Sequence, residues 1–296
     1  VIERFLNPDV LAGISGLELI AKTVVQGFVS GLHRSPNFGF SQEFAEYQAY
    51  TPGDDLRYVD WNVYARSERL YLKRYRGETN TLLTVLLDAS NSMKYSSHGV
   101  SKMDYARYAA ASMFYLTTQL QRDAAGLIVF DDELRDYIRP STRQGQLHRL
   151  LAALDRAEPR ARTDFAKPIL HFQDMLRRRG FVVIISDFYD DPDKIVRAAE
   201  PMRFHGNEVL FFHVLDPQEI RPKLREPMTL VDLETDESLE VTPDYAQHEY
   251  RAKMDSHIKR LKEKVRAAGM EYQLLQTDLA LDSALREFLS LRQGRL

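Results

Sequence analysis

The strongest constraint in this chain is a pattern that occurs twice. A short, almost wholly apolar run stops at a carboxylate. Residues 82–87, Leu-Leu-Thr-Val-Leu-Leu, end at Asp88, and residues 181–186, Phe-Val-Val-Ile-Ile-Ser, end at Asp187. Runs this short, without in–out alternation, mark strands buried on both faces. Helix patterns alternate with such strands along the rest of the chain. Ser101 caps a helix expected to run to about residue 122, and a strand follows at 125–130. The Asp131-Asp132-Glu133 turn leads into a short strand at 134–139. Leu147, Leu150, Leu151 and Leu154 mark a helix, and residues 164–179 read as another, closed by Gly180. Asp191 and Pro192 read as N-cap and first residue of a helix ending near Gly206. A strand at 208–214 and a hairpin at 229–241 come next. A long helix then carries Tyr250, Met254, Ile258, Leu261 and Val265, with Gly269 as its stop. The chain finishes with a strand at 272–275 and a helix at 282–291.

Strands separated by helices predict an α/β domain built on a doubly wound, mostly parallel sheet of five or six strands, flanked by helices. The 134–139 strand follows its predecessor by a tight turn, so it is expected to be antiparallel and at an edge. Residues 79–296 are assigned to this domain, with the hairpin near 226–243 inserted into it. Residues 1–78 read as a helical and irregular extension packing on the sheet domain. Within it, residues 10–32 carry Glu18, Lys22 and Gln26 four apart on one face, which predicts one amphipathic helix and no membrane span. No basic stretch followed by an apolar core opens the chain, so no signal peptide is expected.

With no cysteine among 296 residues, thiolate metal sites, disulfides and thiol nucleophiles are excluded. That suits a cytoplasmic location. A net charge of −3 gives no global pull toward nucleic acid or anionic membrane.

In an open parallel sheet, ligands bind beyond the carboxyl ends of the strands. Asp88, Ser90 and Ser92 follow one such end, Asp187 follows another, and Thr163 lies on a connecting loop before a helix. Two carboxylates and three hydroxyls, with no imidazole, suit a hard divalent cation such as Mg2+, or Mn2+ or Ca2+. On a straight strand Asp88, Ser90 and Ser92 would spread over about 13 Å, so they converge only if the chain wraps. The bland alternative is that these are turn and capping residues.

Asp88-x-Ser90-x-Ser92, Thr163 and Asp187 together resemble the metal-ion-dependent adhesion site of von Willebrand factor A domains, and the order of strands and helices is similar too. The segment YTPGDDLRYVDWNVYARSERLYLKRY followed by LLDASNSM is similar to the bacterial DUF58 family. That resemblance covers nearly the whole chain. It implies a non-enzymatic, divalent-metal-dependent protein-interaction module, partner of a MoxR-type AAA+ ATPase in protein assembly or maturation. Asp88, Ser90, Ser92 and Thr163 would meet the ion directly or through water, Asp187 usually through water, and a partner's acidic residue would complete the shell. Phe188 stands where other A domains commonly carry glycine, which is expected to narrow access to the ion.

An enzymatic alternative makes Asp88 the nucleophile of a Mg2+-dependent phosphotransferase or hydrolase. Against it, Ser90 occupies the place where a second acid is expected, and no phosphate-binding glycine motif occurs. Arg66, Arg69, Lys73, Arg74 and Arg76, interleaved with Tyr71 and Tyr75, form a basic strip. It reads as a strand neutralised by nearby acids or a dock for an acidic protein, in preference to a nucleic-acid surface. Trp61, the only tryptophan, is expected to anchor the extension to the sheet domain.

Overall fold

The computed structural model describes residues 7–32, 44–51, 59–67, 69–75, 82–160, 165–172, 175–176, 179–231 and 238–293. Val1–Ser30 and Thr81–Arg295 form one compact unit, and Gly31–Asn80 form a second.

In chain order the described elements begin with α1 (Pro8–Ala12) and α2 (Leu17–Leu32). The single helix expected over residues 10–32 is therefore two. Asn7 caps α1 through its side chain, and Gly13 and Gly16 separate the pair. The second unit contains β1 (Phe44–Ala49), α3 (Trp61–Ser67) and β2 (Tyr71–Tyr75), with β1 and β2 antiparallel.

The larger unit continues with β3 (Leu82–Asp88), a 3-10 turn at Asn91–Lys94, and α4 (Lys102–Tyr115). Ser101 caps α4 by accepting the N–H of Asp104, as its place in the sequence predicts. The helix ends seven residues short of residue 122. It passes into a π turn over Leu116–Leu120, and Arg122 takes a left-handed conformation at φ 58°. Next come β4 (Ala124–Phe130), β5 (Leu134–Ser141), α5 (Gln146–Arg156) and α6 (Ala166–Phe172). The α6 helix is shorter than the expected 164–179. After Phe172 the N–H groups of Met175 and Leu176 both fold back to its carbonyl, making a turn. Gly180 does not act as a helix stop. A Cβ there would collide with the carbonyl of Leu82, so glycine allows a close backbone approach.

Then follow β6 (Phe181–Ser186), α7 (Pro192–Phe204), β7 (Glu208–Leu215), α8 (Pro217–Ile220), and the inserted hairpin β8 (Met228–Val231) and β9 (Ser238–Val241). A short α9 (Pro243–Tyr245) and a π turn run into α10 (Arg251–Ala267), followed by β10 (Glu271–Gln276) and α11 (Asp282–Gln293). Asp191 caps α7 by accepting the N–H groups of Asp193 and Lys194.

Six strands pair in the order β10-β7-β6-β3-β4-β5. All pairs are parallel except β4 with β5, so β5 is the antiparallel edge, as the tight turn predicts. Ranked by position in the chain, this is the doubly wound order 3-2-1-4-5-6. On one face Leu86, Ile128, Val182, Ile184, Val209 and Phe211 pack with α6, α7 and α10 into a continuous core. α4 and α11 pack together and against β7. β5 pairs with β4 around a bulge, with Pro140 seated over Gly126.

Candidate functional site

The strand order reverses direction at the β3–β6 junction. Asp88 is the last residue of β3, and Asp187 directly follows Ser186, the last residue of β6. Both carboxylates therefore sit at the crevice where doubly wound sheets hold their ligands. Asp88 and Ser90 are fully buried, and Asp187 nearly so. Ser92, on the 3-10 turn, is half-buried.

The wrapping that residue spacing requires is present. Asp88 Oδ1 accepts the N–H of Ser90 at 2.8 Å, and the Ser90 and Ser92 hydroxyls lie 3.1 Å apart. The other oxygen, Oδ2, accepts the Ser186 hydroxyl at 2.6 Å. The structure thus brings Asp88, Ser90 and Ser92 together and sets Asp187 close enough to act on Asp88 electrostatically. Burial, and then the charge of Asp187, push the Asp88 carboxyl up to about 7 from an ordinary 3.8. Thr163 lies outside the described residues.

Two site residues carry no sequence signal that places them at the site. Lys102, the first residue of α4, is fully buried, and its ammonium donates to Asp187 Oδ2 at 2.8 Å and to Glu219 Oε1 at 2.6 Å. Burial works against the ammonium, but the Asp187 and Glu219 carboxylates outweigh it and hold Lys102 above its ordinary value. Glu219 is itself fixed by a capping box, in which its other oxygen accepts the N–H of Asp216 at 2.9 Å. The Asp-Pro-Gln-Glu spacing of that box is legible in the sequence. That its glutamate also turns toward Lys102 is not.

Phe188 does not stand over the crevice. Its backbone is left-handed at φ 50°, and its ring is buried against Phe211 at 5.1 Å, Phe165 at 5.4 Å and His213 at 5.6 Å. The expectation that it narrows access is corrected. The left-handed turn sends the side chain into the core. His257 of α10 lies 3.1 Å from the Phe188 carbonyl, and the buried His213 has Nδ1 2.7 Å from the Tyr272 hydroxyl.

The donor set fits a hard cation. It is all oxygen, mostly buried, and includes a carboxylate raised first by burial and then by the neighbouring Asp187 charge. Among the described residues no group of three or more His, Asp or Glu side chains could hold a metal ion, so the serine hydroxyls would have to share in it.

A family model described as "Protein of unknown function DUF58" matches residues 46–264. The chain belongs to the DUF58 family. Similar full-length relatives are uncharacterized proteins of Mycobacterium tuberculosis and Mycobacterium bovis, each 28% identical over 98% of this chain and 92% of theirs. Among solved structures, an aerotolerance-related membrane protein from Bacteroides fragilis is 13% identical, with TM-score 0.48 over 73% of this chain and 100% of its own. The BatB protein of Bacteroides thetaiotaomicron is 14% identical, with TM-score 0.48 over 72% and 98%. The SpRpn10 VWA domain is 12% identical, with TM-score 0.43 over 70% and 94%.

Elsewhere, Trp61 is 57% exposed and makes an edge contact with Tyr64 at 6.0 Å. Arg66 and Arg69 of the basic strip are exposed, Lys73 and Arg74 lie on β2, and Arg76 falls outside the described residues. Among the described residues no helix is long and apolar enough to cross a membrane.

Proposed function

We propose that this DUF58 protein is a non-enzymatic protein-interaction module whose binding depends on a divalent cation, Mg2+ being the natural choice. Asp88, Ser90 and Ser92 would hold the ion, with Asp187 acting through water and Thr163 joining from its loop. One observation carries the reading. A fully buried carboxylate faces a second one across the switch point of the sheet, with two hydroxyls wrapped beside it. Bound there, the ion would offer an open position to a carboxylate of a partner. Ser90 N–H and Ser186 orient Asp88, and Ser92 is the half-buried member of the set. The partner we propose is a MoxR-type AAA+ ATPase, on the family resemblance.

A phosphoryl-transfer reading requires Asp88 to attack a substrate. Both its oxygens are engaged by internal donors and the residue has no exposed surface, which favours holding an ion over nucleophilic attack. The test is binding of the full chain to a purified MoxR-type ATPase in Mg2+ and in EDTA. Binding that needs Mg2+ and disappears with Asp88→Ala, while the circular dichroism spectrum is unchanged, supports the proposal. Equal binding in Mg2+ and EDTA sinks the metal dependence. Phosphoester turnover lost with Asp88→Ala would establish the enzymatic reading instead.

A further inference from the structure

Lys102 is placed against its local preferences. A cation in the first turn of a helix opposes the helix dipole, and a lysine side chain is almost never wholly buried unless paired. Yet its side chain has no exposed surface. Its ammonium lies between Asp187 and Glu219, with the Tyr189 ring 4.8 Å away. Asp216, also buried, spends its oxygens on Ser97 and the N–H of Gln218. Asp88, Asp187, Glu219 and Asp216 thus share the interior with the single ammonium of Lys102, so carboxylates outnumber the counter-charge on this side of the sheet.

Taking the divalent-cation reading above as its basis, we infer that Lys102 is a built-in counter-cation that regulates occupancy of the site. In the absence of a divalent ion its ammonium neutralises Asp187 and Glu219, so the crevice stays folded with its loops in place. When an ion enters beside Asp88, the ammonium repels it and competes for Asp187. Binding is thereby weakened enough to be reversible. Without Lys102 the carboxylates would have no internal counter-charge, so an ion at Asp88, Ser90 and Ser92 would be held more tightly and its loss tolerated poorly.

The experiment is calorimetric titration of the full chain with MgCl2 and with MnCl2, using wild type, Lys102→Met and Lys102→Arg. Methionine keeps the length and apolar stem and removes the charge. Lys102→Met is expected to bind Mg2+ about tenfold more tightly or better, because a like charge is removed from a poorly solvated site. Its melting temperature in EDTA is expected to fall and to recover in Mg2+. Lys102→Arg is expected to keep affinity near that of wild type. Wild type that binds Mg2+ with Lys102→Met equal to it or weaker would overturn the inference and leave the metal reading standing. Folded protein that binds no Mg2+ in either form would remove the metal reading, and this inference with it. Should Lys102→Met not fold, Glu219→Gln supplies the second measurement. It leaves Lys102 to Asp187 alone and is expected to weaken Mg2+ binding several-fold, and an unchanged affinity would overturn the inference.

Discussion

Asp88→Asn should stabilise the metal-free protein, although it alters a fully buried residue whose side chain makes two hydrogen bonds. The Asp88 carboxyl is raised to about 7 in the fold, against 3.8 in the unfolded chain. A raised value means that the fold holds this proton more tightly than the unfolded chain does. Stability from this group is therefore complete below 3.8 and is lost as pH rises through about 7. At 1.36 kcal/mol per tenfold, the shift costs the fold about 4 kcal/mol at pH 8, where Asp88 is ionised, and about 2 kcal/mol at pH 5, where the fold must take up a proton that the unfolded chain has released. Asparagine removes that cost. It keeps an oxygen for the Ser90 N–H and weakens the contact with the Ser186 hydroxyl. The two bonds to the ionised form are already counted in that value, so the remaining loss is the poorer fit of an amide beside the Ser186 hydroxyl, roughly 1 kcal/mol. The expected net gain is about 3 kcal/mol at pH 8, falling to about 1 kcal/mol at pH 5. Urea denaturation in EDTA, followed by circular dichroism at both pH values, measures it. A variant less stable than wild type at pH 8 would refute the reasoning, since it would mean that the ionised carboxylate is already compensated in the absence of metal.

Other outcomes follow from the same packing. At Phe188 the usual ranking of alanine over glycine should invert. Both substitutions lose about 3–5 kcal/mol of aromatic burial, but glycine relieves a left-handed φ worth about 1 kcal/mol, so Phe188→Gly should denature at higher urea than Phe188→Ala. Gly126→Ala would place a Cβ 2.6 Å from the Pro140 ring and 2.8 Å from the Ile138 carbonyl, and should cost about 2 kcal/mol or more in equilibrium unfolding. His213 is buried and neutral, held down to about 3 by burial, so its contribution is present above about 6.5 and is lost as pH falls from there toward 3. In the Asp88→Asn background, where the opposing carboxylate is gone, stability should drop by about 2 kcal/mol between pH 7 and 5, and a flat profile would count against it.

Much of this fold was legible because burial on both faces leaves a strong mark. The short, almost wholly apolar runs before Asp88 and Asp187, rich in branched residues and set between helix patterns, marked central strands, and the Asp131–Glu133 turn marked β5 as an antiparallel edge. Caps such as Ser101 and Asp191 were equally plain, because their chemistry is local. Helix ends were less so. The end of α4 depends on a π turn, and the end of α6 on a turn whose Leu176 carbonyl is met by the Asn207 side chain, 31 residues on, which local sequence does not announce. At the site, Asp88, Ser90 and Ser92 stood out through their spacing. Lys102 and Glu219 did not, since their partnership joins residues 117 positions apart. Phe188 was misplaced because a sequence gives a side chain's size but not the sign of φ that decides where it points.

That sign of φ ties two otherwise separate parts of the molecule into one mechanical train. The residue next to Asp187 is a core residue, wedged between Phe165, beside α6, and Phe211 of β7, while α10 approaches its carbonyl through His257. A cavity opened under α6, or a slide of α10 along the sheet, would be felt one peptide away as a rotation of the Asp187 carboxylate. Interior substitutions far from any solvent could therefore retune the crevice without touching a single one of its oxygen atoms.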